Sequence, residues 1–172
     1  MIRLVLGGEK SGKSDLAYGL FLDAPGPGVV MAMGCARDAA FRRQILEHRL
    51  RRDPAIPVLE PGMELAAALD QARAAGLNVL VDSLDFWLFA CMESGSESLD
   101  GLFDELAASL APFGAGDRPA CVLVSCEVGL GPIASSSLAR TFARAQGALN
   151  QRLAVLASDV RLVVAGLPVM LK

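Results

Sequence analysis

The chain lacks the patterns that mark disulfide-bonded, zinc-binding and membrane-spanning proteins. It has only four cysteines among 172 residues, and none of them forms a C-x-x-C pair. Neither a disulfide framework nor a zinc site is therefore indicated, and we expect buried free thiols. No apolar run reaches the roughly 18–20 residues that a membrane-spanning helix needs. The best candidate, residues 77–92, is interrupted by Asp82 and Asp85.

A strong excess of one charge is also missing. The 16 basic and 19 acidic residues give a net charge of −3, which argues against general attraction to nucleic acids or membrane surfaces. Positive charge is local instead, because arginines cluster between positions 42 and 52. The length suits one domain, residues 1–172, and the first apolar run is too short for a signal peptide. We expect a cytoplasmic protein with no nucleic-acid or membrane partner.

The most informative motif follows the first apolar run directly. Residues 7–14 read G-G-E-K-S-G-K-S and fit the pattern G-x-x-x-x-G-K-[S/T]. In this pattern, backbone N–H groups surround phosphate oxygens, the lysine reaches the β- and γ-phosphates, and the last hydroxyl ligates Mg²⁺. The alternative is a glycine-rich turn with an incidental lysine. The motif lies between an apolar strand and a helical pattern, however, which is where a P-loop belongs.

From this motif we predict a nucleoside-triphosphate site with Mg²⁺ as its cofactor. Lys13 is predicted to be catalytic, and Ser14 is predicted to ligate the metal ion. The predicted nucleotide-binding residues of the loop are Gly7, Gly8, Glu9, Lys10, Ser11, Gly12, Lys13 and Ser14.

Short apolar runs alternate with helical patterns along the chain. Strands are predicted at 2–6, 29–33, 78–81, 120–125 and 160–165, with an edge strand at 169–171. Helices are predicted at 13–22, 37–51, 63–75, 84–92, 99–110 and 138–157. The interior strands are continuously apolar, as in sheets that helices cover on both faces. The order predicts a single-domain α/β fold, P-loop NTPase-like, with a doubly wound, mostly parallel sheet.

In such a sheet, ligands bind beyond the carboxyl ends of the strands. Gly34, Asp82 and Glu127 all follow predicted strands, so we expect them near the P-loop at this edge. Residues 79–82 read V-L-V-D, which is typical of a strand whose final carboxylate holds Mg²⁺. Asp82 as a cap for the next helix is the alternative, but the P-loop favours the metal-binding interpretation.

The single histidine, His48, lies in the basic helix predicted at 37–51. A lone histidine on a basic helix is ordinarily a surface residue. Here the neighbouring guanidinium groups disfavour the imidazolium form, and they would also match the oxygens of a polyphosphate. A neutral imidazole among phosphate-binding arginines is suited to attack on phosphorus.

Further motifs follow in order along nearly the whole chain. They are Q-I-L-E-H-R at 44–49 with Glu60 beyond it, V-D-S-L-D-F-W at 81–87, E-V-G-L-G at 127–131, L-A-R-T-F at 138–142, G-A-L-N-Q-R-L-A at 147–154 and V-R-L-V-V-A-G-L-P at 160–168. Together with the P-loop, they resemble the bifunctional adenosylcobinamide kinase/adenosylcobinamide-phosphate guanylyltransferase family of cobalamin biosynthesis. A generic P-loop kinase has no reason to carry all of these motifs in this order.

The resemblance implies two reactions. In the first, a nucleoside triphosphate, ATP or GTP, phosphorylates the aminopropanol hydroxyl of adenosylcobinamide. In the second, a histidine attacks the α-phosphate of GTP and expels pyrophosphate, and the resulting guanylyl-histidine passes GMP to adenosylcobinamide phosphate. By position, His48 is the implied nucleophile. The implied nucleotide contacts outside the P-loop are Ala32, Met33, Gly34, Arg49, Leu50, Arg51, Arg52, Glu60 and Asp82.

The chain departs from the family pattern mainly where the base and the corrinoid are recognised. The departures are Lys10 for Arg, Met33 for Thr, Ile56 for Trp, Cys126 for Asn, and Ser135 in a loop that carries a proline. No N-K-x-D motif follows a late strand, so the choice between guanine and adenine is open, as is the role of Glu127. Two other functions are therefore alternatives. One is a small P-loop kinase of another hydroxyl substrate, and the other is a nucleotide-binding protein with impaired catalysis.

The resemblance also implies a homo-oligomer, with a homotrimer as the implied form. The helix predicted at 138–157 is a candidate contributor to that interface, and ordinary core packing is the alternative. Trp87 is interpreted as a core anchor rather than as a residue that stacks on the corrinoid.

Overall fold

Seven strands and five helices make up the part of the chain that the computed structural model describes, residues 1–34, 52–95, 98–116 and 119–172. The strands are β1 (Ile2–Gly7), β2 (Gly28–Ala32), β3 (Val58–Leu59), β4 (Asn78–Asp82), β5 (Cys121–Cys126), β6 (Asp159–Val164) and β7 (Leu167–Met170). The helices are α1 (Lys13–Leu22), α2 (Leu65–Ala74), α3 (Leu84–Glu93), α4 (Leu99–Gly114) and α5 (Ser137–Leu156). The helix predicted at 37–51 lies outside the described residues.

The seven strands form one sheet in the order β3-β2-β4-β5-β1-β6-β7. Every neighbouring pair is parallel except β6 and β7, which are antiparallel. Strand β1 lies between β5 and β6, so the loop that follows β1 emerges near the middle of the sheet. The predicted α/β fold with a mostly parallel sheet is confirmed.

Alternate residues of each strand pack on opposite faces of the sheet, as the two-residue period of a strand requires. On one face, Val5, Val30 and Leu80 pack against Ala17 and Phe21 of α1. On the other face, a larger apolar cluster joins the sheet to α2, α3, α4 and α5. It includes Leu4, Met31, Val81, Leu123, Leu69, Leu88, Leu106 and Leu149. Helices therefore cover both faces, which explains why the interior strands are continuously apolar.

Two strands differ from the sequence prediction by more than one residue at an end. Strand β3 was not predicted, because a two-residue edge strand is too short to show any periodicity. Strand β7 begins at Leu167 rather than at residue 169, because Ala165 and Gly166 alone form the turn with positive φ angles of 52° and 80°. Pro168 is tolerated within β7 because an edge strand leaves one side of its backbone unpaired.

Helix α4 extends to Gly114 instead of ending at Leu110, and it includes Pro112. Phe113 is 1% exposed within the core, so packing of this ring favours a helical last turn despite the proline. The core interpretation of Trp87 is confirmed, since the ring is buried and its Nε1 donates to the Met63 carbonyl at 3.3 Å. No described helix is both long and apolar enough to cross a membrane.

Three cysteines lie among the described residues, and all three are free. Cys91 and Cys121 are buried, as predicted, and burial raises the pKa of Cys91 to about 11 and that of Cys121 to about 12. Cys126 is only half-buried. Cys35 lies outside the described residues.

A buried polar network fixes the carboxyl end of β5. Ser125 donates to Asn150 Oδ1 at 2.6 Å, and Gln146 Nε2 donates to Ser125 Oγ at 2.7 Å. Asn150 Nδ2 in turn donates to the Cys126 carbonyl at 3.1 Å. Buried amides and hydroxyls that are paired in this way hold the backbone in one position. The amide-rich motif of α5 therefore positions the end of the strand beside β1.

Candidate active site

A cavity of about 320 Å³ lies at the carboxyl ends of the parallel strands. Its walls come from the loop after β1, the ends of β2, β4 and β5, the first turn of α3, and the segment that leads into and out of β3. The lining residues are Glu9, Lys10, Lys13, Ser14, Ala32, Gly34, Arg52, Glu60, Asp82, Ser83, Asp85, Phe86 and Cys126. This is the edge at which the sequence predicted a ligand site.

The P-loop needs glycine at two positions for steric reasons. A Cβ atom on Gly7 would lie 2.4 Å from Ser11 Oγ and 2.9 Å from the Val163 backbone carbonyl oxygen, distances that real Cβ contacts essentially never reach. Gly12 has a φ angle of 94° and lies against Gly166 in the turn between β6 and β7. The Gly166 N–H donates to the Ser11 carbonyl at 2.8 Å. This turn therefore supports the outer side of the loop.

The loop places Lys13 and Ser14 in the wall of the cavity. Lys13 Nζ donates to the Gly8 carbonyl at 3.2 Å, and Ser14 Oγ donates to Asp82 Oδ1 at 3.1 Å. Both residues lie in the first turn of α1, whose unpaired N–H groups and positive helix end favour an anion. The P-loop and the end of β4 therefore lie together at this edge of the sheet.

Arg52 is held against the same carboxylate. Its Nη2 donates to Asp82 Oδ2 at 2.8 Å, and both side chains are 11% exposed. The adjoining backbone is anchored on α1, because the Asp53 N–H donates to the Tyr18 hydroxyl at 2.8 Å. Arg52 was predicted as a nucleotide contact, and the structure brings it into the cavity as the partner of Asp82.

The oxygens at this point fit a hard divalent cation. Ser14 Oγ and the Asp82 carboxylate are the donor types that Mg²⁺ prefers, and Mg²⁺ keeps several waters, so it needs only one or two protein oxygens. A cation at Asp82 would share the carboxylate with Arg52. Among the described residues, no group of three or more His, Cys, Asp or Glu side chains is arranged to hold a metal ion.

The other predicted site residues divide into three groups. Ala32, Gly34 and Glu60 line the cavity. The Met33 side chain is in the core and does not line the cavity, because the alternation of β2 continues through it, although its N–H donates to the Asp82 carbonyl at 3.0 Å. The third group lies outside the described residues and comprises His48, Arg49, Leu50 and Arg51.

Sequence reasoning missed four lining residues: Ser83, Asp85, Phe86 and Cys126. Asp85 is the most informative of them, because its Oδ1 is buried and accepts no hydrogen bond from any described residue. Burial raises the pKa of Asp85 above its usual value, and Asp82 adds to the shift, while Ser83 and Lys13 oppose it. The available signal was a second aspartate three residues after the strand-ending one. Burial, and then the charge of Asp85, raises the pKa of Cys126.

Comparisons with known proteins show which family the chain belongs to. The family described as cobinamide kinase / cobinamide phosphate guanyltransferase matches residues 3–171. The bifunctional adenosylcobalamin biosynthesis protein CobP of Pseudomonas aeruginosa is 37% identical over 171 residues, which cover 98% of this chain and 96% of that protein. CobU of Salmonella typhimurium, with the same description, is 32% identical over 191 aligned positions that cover all of both chains. Because the match extends over nearly its whole length, the chain belongs to the cobinamide kinase / cobinamide phosphate guanyltransferase family.

Proposed function

We propose that this chain carries both activities of its family: phosphorylation of adenosylcobinamide by a nucleoside triphosphate, and transfer of GMP from GTP to the resulting phosphate. One observation carries the proposal. A complete P-loop contacts the Asp82 carboxylate through Ser14 at a cavity on the carboxyl edge of the sheet, in a chain that matches the family from residue 3 to residue 171. The full-length match favours this function over the small kinase of another substrate.

In the kinase step, the P-loop residues bind and orient the triphosphate. The N–H groups of the loop and of the first turn of α1 hold the phosphate oxygens, and Lys13 offsets the charge that builds on them as the bond to the leaving group lengthens. Arg52 and Lys10 line the same cavity and add positive charge. Phosphoryl transfer needs little more from a protein than such positioning and charge stabilisation.

Ser14 and Asp82 are the residues that would hold Mg²⁺. When bound, the ion would act as a Lewis acid and offset part of the negative charge that builds on the phosphate. Asp82 is fixed for this purpose by hydrogen bonds from Ser14 and Arg52. Glu60, which also lines the cavity, is proposed to contact the nucleotide.

The guanylyl transfer is proposed to proceed through His48. Its ring nitrogen forms a bond to the α-phosphorus of GTP while the bond to the bridging oxygen breaks, and pyrophosphate leaves. The phosphate of the corrinoid then attacks the same phosphorus and displaces the histidine. The arginines at 49–52 are proposed to contact the nucleotide, and Arg52 supports this by lying in the cavity.

Incubation of the chain with ATP or GTP, Mg²⁺ and adenosylcobinamide tests the proposed function. We expect the phosphate and then the GDP derivative of the corrinoid, identified by mass spectrometry. Asp82→Asn should raise the Mg²⁺ concentration for half-maximal activity by about 10- to 100-fold, because it weakens the metal site. Asp23→Asn, at the exposed end of α1, is the control. Turnover of the nucleotides without any corrinoid product would overturn the assignment.

We also propose a homo-oligomer, with three chains as the form implied by the family resemblance. The hairpin of β6 and β7 supports it, because this edge of the sheet exposes an apolar set comprising Val164, Leu167, Val169, Met170 and Leu171. Such a surface is typical of protein interfaces. Light scattering should give three chains per particle, and Leu167→Lys should shift the mass towards one chain, whereas Leu22→Lys on α1 should not. A monomer at micromolar concentration would contradict this proposal.

A further inference from the structure

Among the described carboxylates that line the cavity, only Asp85 has an oxygen that is buried and has no hydrogen-bond partner. It lies in the first turn of α3 and lines the same cavity as Lys13, Ser14 and Asp82. Its Oδ1 is buried without a hydrogen bond. A buried polar atom without a partner costs free energy, and such atoms are rare in native proteins unless they have a further role.

The other carboxylates of the cavity are engaged or solvated. Asp82 accepts hydrogen bonds on both oxygens, from Ser14 on Oδ1 and from Arg52 on Oδ2. Glu9 and Glu60 are exposed to solvent. Among the carboxylates that the structure describes at the cavity, only Asp85 therefore presents a desolvated acceptor to a molecule that enters it.

The surroundings of Asp85 are consistent with a side chain that accepts a proton. The positive charge of Lys13 on α1 stabilises the ionised Asp85 carboxylate, whereas the negative charge of Asp82 on β4 destabilises it. Cys126 at the end of β5 also interacts with Asp85. Burial is the main cause that raises the pKa of Asp85 above its usual value. A base whose pKa lies closer to the working pH transfers protons more effectively than an ordinary aspartate.

We propose that Asp85 is the general base of the kinase step, an inference that rests on the proposed function. Asp85 Oδ1 accepts the proton of the substrate hydroxyl as that oxygen forms its bond to the γ-phosphorus. The bond between this phosphorus and the β–γ bridging oxygen breaks, and the nucleoside diphosphate leaves with the electron pair. The proton then passes from the carboxyl group to water, which restores the base.

Asp85→Asn tests this role, because the amide keeps the shape of the side chain but accepts no proton. The kcat for phosphorylation of adenosylcobinamide should fall by about 10²-fold or more, as expected when a general base is lost. Nucleotide affinity, measured by equilibrium titration, should stay within about threefold. Formation of the guanylyl adduct from GTP should also stay within about threefold, because that step removes no proton from a hydroxyl. Glu93→Gln, exposed on the same helix, is the matched control.

The outcomes separate this inference from the proposed function. If the unaltered chain does not phosphorylate adenosylcobinamide, the proposed function fails. If the unaltered chain is active and Asp85→Asn keeps its kcat within threefold, the base assignment is overturned. A tenfold loss of nucleotide affinity or of adduct formation in this variant would overturn it too, since Asp85 would then serve nucleotide binding. Should Asp85→Asn not fold, Asp85→Ser removes the same carboxylate and is expected to show the same kcat loss.

Discussion

Replacing His48 with alanine is expected to abolish the covalent guanylyl adduct and to lower guanylyl transfer to the corrinoid phosphate by at least about 10³-fold, because a lost covalent nucleophile is not replaced by its neighbours. Phosphorylation of adenosylcobinamide should remain within about threefold. The reason is chemical: the first reaction joins a hydroxyl directly to the γ-phosphorus, whereas the second is proposed to pass through a bond between the imidazole and the α-phosphorus. The variant therefore separates the two activities.

The measurement is direct. GTP labelled at the α-phosphate is incubated with Mg²⁺ and the chain, and the protein is then separated and its label is counted. The phosphorus–nitrogen bond of a guanylyl-histidine is labile in acid, whereas an ester on serine is not. His48→Asn is the companion variant, because it keeps a polar side chain of moderate size without an imidazole. If His48→Ala retained as much label as the unaltered chain, the assignment of His48 as the covalent nucleophile would be wrong.

The structure describes the end of the arginine-rich segment that contains His48. Arg52, four positions further along the chain, lies in the cavity and donates to Asp82. The backbone beside it is anchored to Tyr18 and capped by Asp53, whose carboxylate accepts from the Ala55 N–H at 2.9 Å. The last arginine of the arginine-rich segment therefore lies at the cavity, beside the P-loop and Asp82.

The P-loop and the sheet were predictable because their causes are local in sequence. Gly7 and Gly12 are required by a close approach and a positive φ angle within the loop itself. The strands are apolar because both faces of the sheet are covered, which leaves a continuous run for each strand. The same reasoning failed for β3. Its two residues pair with β2 at the edge of the sheet, and two residues are too few to show a periodic pattern.

The missed parts of the site depend on contacts between distant segments. Arg52 and Asp82 are 30 positions apart in the sequence. They form a hydrogen bond because the segment before β3 lies against the end of β4 in the fold. Burial of Met33 follows from its register in β2, which turns its side chain into the core rather than into the cavity. Asp85 is buried in the fold, where it interacts with charges on segments that are distant in the sequence, such as Lys13 of α1. None of these effects has a fixed spacing that a sequence motif can express.

Replacing Lys13 with alanine is expected to lower kcat/KM for both reactions by about 10²- to 10³-fold, the usual cost of losing one preorganised electrostatic contact to a transition state. Lys13 Nζ lies against the Gly8 carbonyl at 3.2 Å, so its ammonium group is already positioned over the phosphate-binding loop. The loop backbone is held by Glu127, Gly166 and the glycines themselves, and it should survive the substitution. We therefore expect kcat/KM to fall because the positive charge of Lys13 is lost, and not because the fold is disrupted.

Steady-state rates of both reactions, with thermal unfolding as the check on folding, measure this effect. Lys172→Ala at the far end of the sheet is the control, and it should leave both rates unchanged. An equal loss in both reactions indicates that one cavity serves them in turn, since only one P-loop is present in the sequence. Loss of phosphorylation with intact guanylyl transfer would contradict the prediction, because the triphosphate that His48 attacks would then be held by other residues.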